Sequence, residues 1–380
     1  MKLGLYIHIP FCRQKCLYCD FPSYDNLTHL YQDYIDALCR EIAEQKSRFS
    51  GWVVDTVYIG GGTPTVLPGE LLGRLFASLT ATFSLEPAVE ITVEANPGTV
   101  NLPLLKALRS WGVNRLSFGV QTFVPRLLPL LGRVHTAEQG IEAVELARAA
   151  GFDNINLDLM YGLPEQRQAD VADSLSRATE LGVPHLSVYG LKVEDGTPFA
   201  VSHAAGKLAL PDETEEEAMY DFAAAFLRQA GYCRYEVSNY CLPGYECRHN
   251  LKYWHYQPFL GLGAAAYSFV DGVRWANTPH VTEYIQAQRK GALAIQEREV
   301  LDRQTQIAEF IFLALRTAAG LDSGIFQERF GISFWDAYRA TIDTLAQRGL
   351  VERCGNRLRL TDLGMKFGNI VFSSFLPDKA

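Results

Sequence analysis

Cys12, Cys16 and Cys19 crowd into one short stretch, YIHIPFCRQKCLYCDF from Tyr6 to Phe21, with the spacing C-x3-C-x2-C. Thiolates this close in one loop usually hold metal. A four-iron cubane cluster ordinarily takes four cysteines, so three without a fourth neighbour describe a cluster with one iron left open to another ligand. An open coordination position is where a metal centre does chemistry. The same residues have two other readings, a three-Cys zinc site completed by His8 or a distant residue, and an accidental cluster of thiols. Zinc motifs come more often as paired C-x2-C knuckles. Among the other cysteines, Cys39 and Cys354 read as small residues packed in a core. Cys241 and Cys247 lie near His249 and leave a ligand or redox role open.

Further residues able to do chemistry each follow a short apolar run. Gly60-Gly61-Gly62-Thr63-Pro64-Thr65, Glu94-Ala95-Asn96-Pro97, Gln121 and Asp158 all stand at or just past the end of a strand-like segment. Strands are expected near 2–9, 54–60, 89–95, 113–119, 153–160, 185–191 and 232–237. Amphipathic helices are expected between them, near 29–48, 68–82, 101–111, 136–150, 167–181 and 212–230. This alternation is the pattern of βα units around a parallel sheet. About six units in a row predict an α/β fold with an open or partial barrel. In such a fold the strand ends converge on one face, where ligands bind. Taken singly, the glycine run reads equally well as a tight turn, Glu94 as a helix cap and Asp158 as a satisfied strand-end residue. Their shared location with the cysteine loop is what favours a site.

With 380 residues, 48% hydrophobic and 21% charged, the chain can bury a large core and form more than one domain. A formal net charge of -8 argues against general affinity for nucleic acid. The N-terminus opens at once into a strand-like segment, without the charged and apolar regions of an export signal, and no stretch reads as a membrane span. Eight cysteines, three of them in a metal-type cluster, indicate a reducing compartment and a cytoplasmic location.

The motifs YIHIPFC, GGGTPT, VEANP, SFGVQTF, LGRVH and DLMYGLP together resemble the radical S-adenosylmethionine (SAM) group that contains oxygen-independent coproporphyrinogen III dehydrogenase and its haem-chaperone relatives. The resemblance runs from Tyr6 almost to the C-terminus. It implies a [4Fe-4S] cluster on Cys12, Cys16 and Cys19 whose open iron binds the amino and carboxylate groups of SAM. One electron from the reduced cluster then cleaves SAM to methionine and a 5'-deoxyadenosyl radical. By the same resemblance Tyr6 lies near the methionyl group, Gly61, Gly62 and Thr63 run along that end of SAM, and Glu94, Gln121, Arg133 and Asp158 supply polar contacts around it. A zwitterion and a ribose need such fixed donors and acceptors in a pocket with little water.

Two departures from the dehydrogenase pattern favour the haem-chaperone branch. The dehydrogenase resembles C-x3-C-x2-C-x-C, whereas Phe21 stands at the last position here, and only eleven residues precede Cys12, where the dehydrogenase has an N-terminal extension. The run from Cys247 to Trp254 also matches the H-N-x-x-Y-W signature of that branch. Haem iron is commonly held by a histidine, so the resemblance makes His249 a candidate haem ligand, with Tyr253 and Trp254 beside it. The structural alternative is that His249 organises the open side of the barrel or the following loop, GLGAAAYSF.

Three regions are expected: a radical SAM partial barrel over 1–240, a connecting region with the H-N-x-x-Y-W motif over 241–300, and a C-terminal winged-helix-like domain over 301–380. The last carries ten Lys or Arg against nine Asp or Glu, too balanced to form a phosphate-binding surface. Three functions follow for testing. The resemblance implies a haem chaperone that passes haem to acceptors such as respiratory enzymes, with a cluster-dependent homodimer and peripheral contact at the inner face of the membrane. The alternatives are oxidative decarboxylation of coproporphyrinogen III, and a metal-stabilised regulatory or binding protein whose winged helix is the working part.

Overall fold

Along Lys2–Ile9 (β1), Leu3, Leu5, Ile7 and Ile9 have no exposed surface, while Gly4, Tyr6 and His8 point to the opposite face of the strand. The computed structural model describes residues 1–376. The strands that follow are Val53–Gly61 (β2), Ser84–Ala95 (β3), Arg115–Gln121 (β4), Asn154–Tyr161 (β5) and His185–Gly190 (β6). One face of each strand packs under helices and the other lines the concave interior of the sheet.

The helices between these strands have identifiable starts. Asn101, Thr136 and Asp212 each accept a hydrogen bond from the backbone of the first turn that follows, and Thr136 and Asp212 form capping boxes with Gln139 and Glu215. Each helix buries one stripe. In Tyr31–Arg48 the stripe is Tyr34, Ile35, Leu38 and Ile42, packed into the main core against the outer face of the sheet.

Strands β1 to β6 are parallel and lie in chain order. The seventh expected strand, near 232–237, is cut short. Cys233–Arg234 (β7) and Asn239–Cys241 (β8) make a small hairpin that pairs antiparallel to β6 at one edge. The interruption has a polar cause, because the buried Glu236 carboxylate accepts from the Ser238 amide and the Asn239 side chain and so turns the chain back.

At the other edge the region expected as a connector adds four strands to the same sheet. Phe259–Leu262 (β9) runs parallel to β1, and Tyr267–Val270 (β10), Val273–Asn277 (β11) and Ile295–Val300 (β12) continue antiparallel. The result is a mixed twelve-stranded sheet with β12 and β7 at its two edges, curved but not closed.

Beyond β12, the helix Arg303–Leu315 leads into Leu321–Asp322 (β13), the helices Ser323–Phe330, Phe334–Ala337 and Arg339–Gln347, and the hairpin Val351–Cys354 (β14) with Arg357–Leu360 (β15). The three strands pair in the order β13-β15-β14, the arrangement of a winged helix. Its core of Phe310, Phe326, Phe330 and Phe334 continues into Tyr256 and Phe269 of the sheet extension, so the two units share apolar packing. Cys354, expected in a core, is exposed at the end of β14, while Cys39 is half-buried. Residues 377–380 of the expected C-terminal domain lie outside the described residues.

Candidate functional site

The cysteine loop follows β1 and is tied down along its length. The Cys12 amide donates to Tyr24 O at 2.9 Å, the Tyr24 amide returns to Pro10 O at 2.8 Å, and the Leu17 amide reaches Leu131 O at 3.0 Å. His8 fastens the far end, with Nε2 at 2.9 Å from Pro22 O. A carbonyl only accepts, so Nε2 carries the proton and Nδ1 accepts from the Tyr6 hydroxyl, 2.9 Å away.

The glycine triplet at the end of β2 is shaped by its own neighbours. A Cβ on Gly60 would stand 2.6 Å from the Glu94 carboxyl, one on Gly61 2.4 Å from the His8 ring, and one on Gly62 2.5 Å from Phe11 O. Gly61 also has φ +106°, open to glycine and strained for other residues. Cysteine loop and glycine turn therefore pack as one piece, with bare backbone left facing the strand ends.

These elements wall a cavity of about 400 Å³. Cys12, Cys16 and Cys19 line it, together with Gly61, Gly62, Thr63, Glu94, Gln121, Arg133 and Asp158. Arg133 Nη1 donates to Asn96 Oδ1 at 2.8 Å, Asn96 Nδ2 to Thr63 Oγ1 at 2.7 Å, and Thr63 Oγ1 to Cys12 Sγ at 3.7 Å. Every member of this relay donates toward the sulfur, the polarity a thiolate requires. Gly119 makes room for it, since a Cβ there would meet Asn96 Oδ1 at 2.8 Å. Gln121 closes β4 at φ 69°, an uncommon backbone state for a residue with a side chain and one that clusters at functional sites.

Burial sets the electrostatics. It pushes the Cys12 and Cys19 thiols above their ordinary range, with hydrogen bonds opposing at each sulfur. Such thiols become thiolates when a cation compensates them. Burial also raises Glu94 to about 7, against the Tyr58 hydroxyl at 2.7 Å and the Gly61 amide at 3.1 Å. Asp158 is raised by burial too, although Asn156 Nδ2 donates to it at 2.8 Å.

Among the described residues no three His, Cys, Asp or Glu side chains close on a single ion. A cubane asks instead for thiols at separate irons around a shared space, and three thiols facing one cavity form a donor set of that kind.

Two of the expected site residues stand away from the cavity wall. Tyr6 lies one layer deeper, its hydroxyl taken by His8 and its ring stacked on Tyr58 at 6.4 Å. His249 is deeper still, 0% exposed, with both ring nitrogens hydrogen-bonded inside the chain.

Residues 6–178 match the Radical SAM superfamily and residues 301–367 the HemN C-terminal domain. The heme chaperone HemW of Lactococcus lactis is 39% identical over 98% of this chain and 97% of its own length. The chain belongs to the HemW family. The Bacillus subtilis HemW is 37% identical, covering 98% of this chain and 99% of its own. The solved structure of coproporphyrinogen III oxidase (HemN) from Escherichia coli, described as a radical SAM enzyme, matches with TM-score 0.87 and 28% identity, covering 98% of this chain and 89% of that one.

In this HemW family member several cavity residues stand beside those that the sequence reading assigned to the site. Asn96, the centre of the relay, sits in VEANP beside the chosen Glu94; Ser117, Met160 and Tyr189 also line the cavity. The strand period could have found Ser117 and Met160, which share the inward face with Gln121 and Asp158. Phe21, where the dehydrogenase pattern has its further cysteine, lines the mouth and is 62% exposed.

Proposed function

We propose that this chain is a haem chaperone that holds a [4Fe-4S] cluster on Cys12, Cys16 and Cys19, binds SAM in the adjoining cavity and passes haem to acceptor proteins. The observation that carries this is the match along almost the whole chain to heme chaperones. When bound, the cluster supplies a Lewis-acidic iron and one-electron chemistry. Gly61, Gly62 and Thr63 offer backbone and hydroxyl groups to the methionyl end of SAM. Glu94, poised near neutrality by burial, takes the ammonium and is drawn to its charged form by it. Gln121, Arg133 and Asp158 complete the polar wall, and Tyr6 supports it through His8.

Phe21 at the mouth supports the chaperone over oxidative decarboxylation, because the further cysteine of the dehydrogenase pattern is missing. Acceptors such as respiratory haem enzymes, a cluster-dependent homodimer and contact with the inner face of the membrane belong to the same proposal. No helix among the described residues is long and apolar enough to cross a membrane. The balanced charge of the C-terminal domain supports a covering or partner-binding role there.

The test is anaerobic reconstitution followed by parallel titration with SAM, haem and coproporphyrinogen III. The chaperone predicts about four irons and four sulfides per chain, SAM binding and a Soret band, without decarboxylated product. Protoporphyrinogen formation would make the protein an enzyme of haem synthesis, and retained zinc without a charge-transfer band would remove the cluster.

A further inference from the structure

The segment Cys247–Trp254, whose histidine the family resemblance offers to haem, is built into the floor of the barrel. The helix Arg248–Trp254 enters at the N-terminal ends of β1, β2 and β3. The Glu90 carboxylate accepts from the Arg248 and His249 amides, both at 3.0 Å, and so caps the helix start. Strand β1 passes beneath at Gly4, where a Cβ would stand 2.8 Å from Lys252 Cδ and 3.4 Å from His249 Cε1. Lys252 pairs with Asp55 at 2.8 Å, both buried.

His249 has no free valence in this setting. Nδ1 lies 2.9 Å from Thr56 Oγ1 and Nε2 2.8 Å from the Tyr253 hydroxyl. To meet an iron, either nitrogen would have to leave its partner unsatisfied in the interior, which is costly, and the ring would have to leave a fully buried place. What the imidazole does touch is Tyr58, stacked on it with centroids 5.3 Å apart at 27°. The Tyr58 hydroxyl donates to Glu94 Oε1 at 2.7 Å, and Glu94 Oε2 accepts from the Gly61 amide at 3.1 Å. A continuous line of contacts thus runs from the motif to the cavity wall.

We propose that His249 is a positioning residue for the SAM cavity: stacked beneath Tyr58, it holds the tyrosine hydroxyl on Glu94 and so fixes the carboxylate and the Gly61 turn. This role presupposes that Glu94 and Gly61 hold SAM, as proposed above. It accounts for the burial of the histidine, the use of both ring nitrogens and the stack on Tyr58, none of which an axial ligand needs.

The test uses the full chain with its cluster reconstituted, reading SAM affinity by calorimetric titration, the haem Soret band, iron content and the unfolding midpoint. His249→Ala should weaken SAM binding roughly tenfold while iron content and the Soret band stay as in the unaltered protein. Tyr58→Phe should do the same, and the double variant should be no more than about twofold worse than either alone, because both act through one line. Loss or shift of the Soret band in His249→Ala with unchanged SAM affinity would overturn the proposal, as would additive losses in the double variant. Should His249→Ala fail to fold, Thr56→Val and Tyr253→Phe each release one ring nitrogen and keep the ring. Positioning predicts weaker SAM binding and an unaltered Soret band, whereas tighter haem binding with unaltered SAM binding would overturn it. Glu94→Gln separates the two levels, since undiminished SAM affinity there would remove the SAM assignment itself.

Discussion

The two ends of the same strands carry equally polar residues and use them in opposite ways. At the C-terminal ends, Gly61, Glu94, Gln121 and Asp158 surround open space, and several of their donors and acceptors face it. At the N-terminal ends, Thr56 and Glu90 on β2 and β3 are spent on the helix Arg248–Trp254, which fills the floor. Polar residues on the inner face of a strand therefore do not by themselves mark a ligand site. What distinguishes mouth from floor is whether the chain supplies its own partner. His249 is the sharpest case, a residue type suited to metal whose two nitrogens are already taken.

On that contrast, changes at the mouth alter ligands directly, whereas changes at the floor alter stability and reach the ligands only along the line from His249 through Tyr58 to Glu94. The largest effect is expected at Cys12, Cys16 or Cys19, where replacement by Ala should abolish the cluster, read as iron and sulfide falling from about four each to background, with little change in the unfolding midpoint of the cluster-free protein. Next is Lys252→Met at the floor, which leaves Asp55 buried without its partner and should cost about 3–5 kcal/mol in denaturant unfolding. Iron content that fell in step with stability would blur the contrast.

Glu94→Gln keeps the volume and removes the charge, so SAM affinity should fall by about 1.5–3 kcal/mol, tenfold or more, at nearly constant stability. The smallest effect is a slope. Burial first, then the Lys252 and Arg115 charges, lower His249 from its ordinary 6.5 to about 3. Between those values the unfolded chain binds a proton that the folded chain refuses. The contribution is whole above pH 6.5 and is lost as pH falls toward 3. His249→Asn should therefore flatten the acid limb by up to one proton, about 1.4 kcal/mol per pH unit, measured by denaturation as pH falls below 6.5.

The residues announced the mouth far better than the floor. A C-x3-C-x2-C loop, a glycine run and strands of period two are local patterns, and β1 falls where its alternation ends, at Ile9. Strand β3 begins earlier than expected, at Ser84, because its first residues do not alternate and are held by pairing with Val53 and Val54. Strand β9 was illegible for a related reason. It is a strand because Gly4 to Ile7 lie beside it, some 250 residues away in sequence, and no periodicity within Phe259–Leu262 reports that. The place of His249 depends on the same long-range assembly, since Thr56, Tyr58 and Glu90 reach it from other strands. Within the C-terminal domain the chain breaks at Tyr338, between the helices Phe334–Ala337 and Arg339–Gln347, where the tyrosine ring packs on Phe334 and Phe375.

Arg316, just past the first C-terminal helix, lies 4.7 Å from the Trp254 ring and 5.6 Å from that of Phe372. The last residue of the H-N-x-x-Y-W motif is thus clasped by the C-terminal domain, and the floor of the barrel hangs from it. A chain cut near residue 300 would lose more than a module. It would bare Tyr256 and Phe269 and free the end of the floor helix, so truncation, usually a way of isolating a working barrel, should here yield an aggregating one.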